Sequence, residues 1–88
     1  MMEKKVVIKN ESGMHARPAS MFVKTANAFK SDIEIELNGR KVNAKSIMGI
    51  MSLGIAKDSE ITIIVNGEDE EQAIHALTEL IENRFGES

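Results

Sequence analysis

Cysteine is absent from the 88-residue chain, and so are tryptophan and tyrosine. Without cysteine there is no disulfide framework, no thiolate nucleophile and no Cys-based metal site. With three phenylalanines as the only aromatics, the strands lack the stacking platforms of RNA-binding sheets. The charge balance points the same way: 11 basic against 14 acidic residues, a formal net charge of −3, is no nucleic-acid footprint. No apolar run is long enough to span a bilayer. The start, Met1-Met2-Glu3-Lys4-Lys5, leads straight into a strand and lacks the apolar stretch of a signal peptide. A cytoplasmic protein is expected, one domain over residues 1–88, with a thin aliphatic core.

The one proline marks the stretch around which the rest is organised, Gly13-Met14-His15-Ala16-Arg17-Pro18-Ala19-Ser20. Gly13 supplies a turn that can take positive φ. Pro18 suits the first turn of a helix, where a missing N–H costs little. Ala19, Phe22, Ala26 and Phe29 then recur at helical spacing. His15 therefore falls at or just before a helix N-terminus. The first amides of a helix lack intrahelical acceptors and lie at the positive end of its dipole, which makes an anion cradle. Arg17 adds a fork-shaped cation that matches a phosphate. A neutral imidazole at His15 is a nucleophile. The pattern suits a phosphoryl group arriving on His15 and leaving again. On spacing alone, a surface histidine beside a solvated arginine accounts for it equally simply.

In chain order, Lys5–Lys9 reads as a first strand, followed by the first helix from Ala16 to Phe29. Ile33, Ile35 and Leu37 alternate with Asp32, Glu34 and Glu36, a strand with one wet face. Asn38-Gly39 is a strong hairpin signal, with Arg40–Asn43 as the returning strand. Ser46 caps a short second helix, closed by Gly54, in which Ile47, Ile50 and Leu53 supply the buried side. Glu60–Val65 is the fourth strand. Acidic residues from Glu68 open a third helix whose stripe is Ala73, Ile74, Leu77, Leu80 and Ile81, running to about Arg84 and stopped by Gly86. This order predicts an α+β fold, an antiparallel four-stranded sheet with three helices on one side. His75 lies off the apolar stripe, near Thr78 and Glu79, and reads as a solvated residue. His15 and His75 have no metal-ligand spacing, and neither a metal nor a cofactor is expected.

Ser46 is explained as a cap, yet a phosphate there would also meet free amides and be tolerated by the fold. A helix of about two turns that already buries Ile47, Ile50 and Leu53 leaves Met48 or Met51 partly exposed, as an adaptable docking surface.

The stretch Gly13–Ala19, together with Lys45-Ser46-Ile47-Met48-Gly49-Ile50-Met51-Ser52-Leu53, resembles the two signatures of the HPr family. These are the histidine-containing phosphocarriers of the bacterial phosphoenolpyruvate:sugar phosphotransferase system, here of the Gram-positive type with a regulatory serine. The resemblance covers nearly the whole chain. It implies an open-faced β-sandwich with strand order 1-4-2-3. It also implies that His15 takes a phosphoryl group from enzyme I on Nδ1 and passes it to enzyme IIA domains. Arg17 and the amides of Ala16 and Arg17 would hold the phosphate. Ser46 would be the target of a kinase/phosphorylase, its phosphorylated form binding a catabolite-control transcription factor. Ala16, Ser20, Ile47, Met48 and Met51 would form the docking surface of a monomer. Met14 stands where leucine is usual, a near volume-conserving change. A related regulatory protein shares the serine segment but lacks the histidine, and a nitrogen-system paralogue shares the histidine motif but usually not the serine segment.

Two other classes fit the element order less well. A ferredoxin-like binding module lacks aromatics and positive charge for RNA. A stand-alone enzyme lacks a second catalytic group near His15.

Overall fold

Alternation sets the sheet. In the computed structural model, which describes residues 1–87, the strands are β1 (Met2–Val7), β2 (Asp32–Leu37), β3 (Arg40–Asn43) and β4 (Glu60–Asn66). They form one antiparallel sheet in the order β1-β4-β2-β3. The register places Ile33 opposite Val65 and Ile35 opposite Ile63, with Val6 opposite Ile61, so one face is almost wholly aliphatic and buried. Asn38 (φ 51°) and Gly39 (φ 83°) both take positive φ between β2 and β3, as a two-residue hairpin of this twist requires.

Three helices cover that face: α1 (Ala16–Ala26), α2 (Ile47–Met51) and α3 (Glu70–Glu82), followed by a 3-10 turn, Arg84–Gly86. α1 buries Pro18, Ala19, Phe22, Val23 and Ala26. α3 buries Ala73, Ile74, Leu77, Thr78 and Ile81. α2 buries Ile50 alone and packs against α1 and β3. The result is an open-faced β-sandwich of the expected strand order.

The element ends differ from the sequence reading. The first strand runs over Met2–Val7 and not Lys5–Lys9. As an edge strand it buries only Val6, while Glu3, Lys4 and Lys5 stay exposed, and their charge guards the edge against further pairing. Ile8 lies beyond the strand, fully buried, its N–H donating to the Ser59 carbonyl at 2.9 Å. α1 stops at Ala26 because the next amides tighten: Ala28 donates to Thr25 and Phe29 to Ala26. α2 ends at Met51 by the same i to i−3 tightening, Leu53 to Ile50 and Gly54 to Met51. Thr78 faces inward and is buried, not on the wet side with His75.

α3 starts at Glu70, and the Asp69 carboxylate before it does not cap the helix but is used elsewhere. It accepts the Lys30 amide at 2.8 Å, the Ser31 amide at 3.0 Å and the Ser31 hydroxyl, tying the loop after α1 to the start of α3. The Ser31 hydroxyl first, then the Lys30 amide, hold the Asp69 carboxyl below its ordinary value of 3.8. A depressed folded-state pKa stabilises fully above the unfolded value, and that stabilisation is lost as pH falls through the folded value. In urea unfolding from about pH 7 to about pH 2, Asp69→Asn is expected to be less stable than the native chain at neutral pH. The gap should close in acid. A gap that stays constant with pH would show that the charge plays no part.

Candidate functional site

The approach to His15 is a tight, doubly tied turn. The Gly13 amide donates to the Asn10 carbonyl at 3.1 Å, while the Asn10 side-chain amide donates to the Gly13 carbonyl at 2.8 Å. Gly13 has φ +62°, and a Cβ there would run into the backbone of Ile55 and Ala56. Glycine is therefore needed twice, for its conformation and for the close approach. Met14 then donates its amide to the Ile55 carbonyl at 2.9 Å and sinks its side chain into the core, 3 % exposed. An apolar anchor under the loop is what leucine or methionine supplies equally well. Outside the turn, Lys57 pairs with Glu11 at 2.8 Å; both are exposed, so water screens the pair and it adds little.

This turn delivers His15 as the residue preceding α1. His15 has extended backbone (φ −69°, ψ −176°) and its side chain makes no capping hydrogen bond. Its ring is thus free of the helix, exposed, and mounted where the chain turns helical. The Ala19 amide closes the first helical bond on the His15 carbonyl at 2.9 Å. Ala16 and Arg17 precede that bond, so their amides have no intrahelical acceptor, and Pro18 has none to offer. The first turn of α1 contains no acidic residue. Two free amides, the positive end of the dipole and Arg17 together favour an anion beside His15.

Arg17 is not loose in solvent. Its guanidinium donates to the Phe85 carbonyl at 3.3 Å and lies 3.6 Å from Glu87 Oε2. Arg84 and Phe85 both take positive φ, 54° and 53°, which folds the C-terminal segment back toward the loop. Phe85 is fully buried and anchors that reversal. Glu87 also receives the Ser12 hydroxyl at 3.0 Å and the Asn10 side-chain amide at 3.3 Å.

Ser46 is the N-cap of α2, its hydroxyl accepting the Gly49 amide at 3.0 Å. Such a cap contributes about 1 kcal/mol. Of the apolar residues of α2, Ile50 is buried, while Ile47 is 40 %, Met48 83 % and Met51 39 % exposed. Ile47 thus departs from the expected buried side of this helix. A five-residue helix has room for one inward residue, and Ile50 takes it. α2 packs on α1, which brings this apolar surface to the helix that carries Ala16, Arg17 and exposed Ser20.

The sequence reading missed Asn10, Phe85 and Glu87. Asn10 looked like an ordinary loop residue, yet it is 1 % exposed, and its Oδ1 has no partner among the described residues. Its link to Glu87 joins opposite ends of the chain, while Ser12 and Gly13 are local partners. His75 lies on α3, with Nε2 3.3 Å from Glu79 Oε2 and an 80 % exposed side chain. A groove of about 400 Å³ between β1 and α3 is lined by His75, Thr78, Met2 and Lys4 among others, and by no residue of the His15 turn. Among the described residues no three His, Asp or Glu side chains gather as metal ligands, and no helix is long and apolar enough to cross a membrane.

Comparison with known proteins agrees with this fold. The chain is 55 % identical over 82 residues to the HPr-like protein Crh of Halalkalibacterium halodurans, covering 93 % of this chain and 98 % of the relative. A crystal structure of HPr from Thermoanaerobacter tengcongensis superposes with a TM-score of 0.98 at 53 % identity, covering 100 % of this chain and 99 % of that one. An HPr dimer from the same organism gives 0.80 at 54 % identity, covering 99 % and 100 %. Residues 2–83 match the family model for the PTS HPr component phosphorylation site, and the chain belongs to the PTS HPr family.

Proposed function

We propose that this protein is a phosphocarrier of sugar uptake in the cytoplasm. It accepts a phosphoryl group on His15 from phosphorylated enzyme I and hands it to enzyme IIA domains. The observation that carries this reading is the placement of a free His15 ring at the start of α1, beside the open Ala16 and Arg17 amides. The Nδ1 lone pair attacks phosphorus as the donor's P–N bond breaks, and the electron pair of that bond returns to the donor imidazole. The second transfer runs the same way onto the next carrier. The protein is no stand-alone catalyst: it positions the group and stabilises its charge, and the partners supply the other phosphohistidines.

Exposed Ile47, Met48 and Met51, with Ser20, form the docking face of a monomer. Met side chains adapt to more than one partner. Ser46 is the regulatory site, phosphorylated by the HPr kinase/phosphorylase for carbon catabolite repression. A phosphate there sits at a helix start, so its main effect is added negative charge on the docking face. The modified protein then binds the catabolite-control transcription factor and accepts phosphate poorly from enzyme I.

The test is direct. Native protein mixed with enzyme I and phosphoenolpyruvate is expected to gain one acid-labile phosphoryl group by intact mass. A folded chain that gains none would overturn the carrier reading. It would select a purely regulatory protein acting through Ser46, a reading favoured by the identity to an HPr-like protein Crh.

A further inference from the structure

The chain has six methionines and no cysteine, so a hydroperoxide meets thioethers and no thiol. The methionines differ widely in exposure. Met14 is buried under the His15 turn, and Met2 and Met21 pack against the core. Met51 is partly open, whereas Met1 and Met48 are the most exposed of the six. Met1 lies at the start of β1, its ammonium paired with Glu70 at 3.3 Å, at the strand end away from the turn that leads to His15. Met48 stands on α2, two residues after the Ser46 cap, with exposed Ile47 and Met51 beside it. α2 is held by buried Ile50 and by the bond from the Gly49 amide to the Ser46 hydroxyl. Neither contact uses Met48, so its sulfur can change without cost to the fold.

We propose that Met48 is a reversible oxidation site: a hydroperoxide converts its thioether to the sulfoxide, and the altered face docks poorly on enzyme I, slowing phosphoryl entry at His15. This rests on the carrier function proposed above. The sulfur lone pair attacks one peroxide oxygen, forming an S–O bond as the O–O bond breaks. With hydrogen peroxide the other oxygen leaves as water, taking up the proton of the transferred oxygen. Sulfur loses two electrons and the peroxide gains them. Two thiols reverse the step, giving thioether, disulfide and water, the chemistry of methionine sulfoxide reductases. A thioether is apolar and adapts to a partner. A sulfoxide carries a strong acceptor oxygen that must shed its water when the face is covered.

The experiment treats the full-length protein with limited hydrogen peroxide and maps the added oxygen by peptide mass. Met1 and Met48 are expected to oxidise first and Met14 last, in the order of exposure. Steady-state uptake from enzyme I and phosphoenolpyruvate is then measured with the carrier as the varied substrate. Oxidised protein is expected to show KM raised about tenfold with kcat nearly unchanged, the pattern of lost binding. Reductase with a thiol is expected to restore KM. Met48→Leu, compared with its own untreated sample, is expected to show no response to peroxide although Met1 is still oxidised. Met48→Gln, which puts a polar group at the same place, is expected to raise KM without peroxide. Phosphoramidate, which labels histidine by breaking its own P–N bond and releasing ammonia, needs no docking face. Its rate on His15 is expected to be equal before and after oxidation.

An unchanged KM in protein oxidised at Met48 overturns the proposal. So does an equal rise in treated Met48→Leu, which would place the effect at another methionine. Slower labelling by phosphoramidate, or a lowered thermal midpoint after oxidation, would also overturn it, because the damage would then lie in the site or the fold. If neither enzyme I nor phosphoramidate labels native His15, the carrier reading falls and this proposal with it. If native His15 is labelled and oxidation leaves KM alone, the oxidation site alone falls.

Discussion

A chain carrying His15→Ala is expected to take up no acid-labile phosphate under conditions that fully label the native protein. Uptake needs a nucleophilic nitrogen, an anion cradle and a cation in one place, and among the described residues only the start of α1 combines them. The other histidine does not inherit the role. His75 sits mid-helix on α3 beside the Glu79 carboxylate, where negative charge repels an incoming phosphoryl group and the helix offers no free amides. Intact mass before and after acid treatment reads the outcome. Because the His15 ring is exposed and makes no capping bond, its loss should change stability by no more than about 0.5 kcal/mol. Loss of labelling in a normally stable protein therefore isolates the chemistry. A variant that still labels would place the acceptor elsewhere.

The second large effect concerns the turn that presents His15. Gly13→Ala is expected to cost about 2–4 kcal/mol of stability and to slow phosphoryl uptake on the order of 100-fold. Left-handed backbone costs an L-residue about 1–2 kcal/mol. The remainder comes from the new methyl group. It meets the Ile55 carbonyl and lies 2.9 Å from the Ala56 Cα, both backbone, so neither can rotate aside. The turn must shift, and His15 shifts with it. Gly54→Ala provides the control. Gly54 has the same φ of +62° but nothing within 4 Å of its added Cβ, so it should lose only the conformational part, about 1–2 kcal/mol. Urea midpoints for the two variants measure the difference. Equal losses would show that the close approach at Gly13 contributes nothing.

Local signals carried much of this structure. Ile33 and Ile35 alternate with charge, and both are buried in β2. Asn38-Gly39 makes the positive-φ turn that its residue types favour, and Ser46 caps α2 as a serine before a short apolar run should. The α+β class and the position of His15 at a helix start were legible for that reason, while the strand order came only with the family resemblance. Features set by distant residues were not. Glu3 and Lys4 fell outside the expected first strand, because nothing local says that β1 is an edge. Asn10 and Glu87 are separated by most of the chain, so neither pattern nor propensity could pair them. Phe85 follows the helix stripe by sequence yet reaches the core through a backbone reversal that propensity argues against. Ile47 shows the limit of counting apolar residues, since a helix this short has one inward position and not three.

The strand order also has a consequence for how the molecule comes to exist. β1 is the first strand to be made, but its one neighbour in the sheet is β4, with Met2 opposite Val65 and Val7 opposite Glu60. The β2–β3 hairpin and α1 can form from nearby residues while β1 still has nothing to pair with. Closing the sheet joins distant parts of the chain, a step that costs loop entropy before it gains contacts and so tends to set the folding rate. On the ribosome, β1 must wait until β4 has emerged. An N-terminal strand so rich in lysine and glutamate stays soluble through that wait.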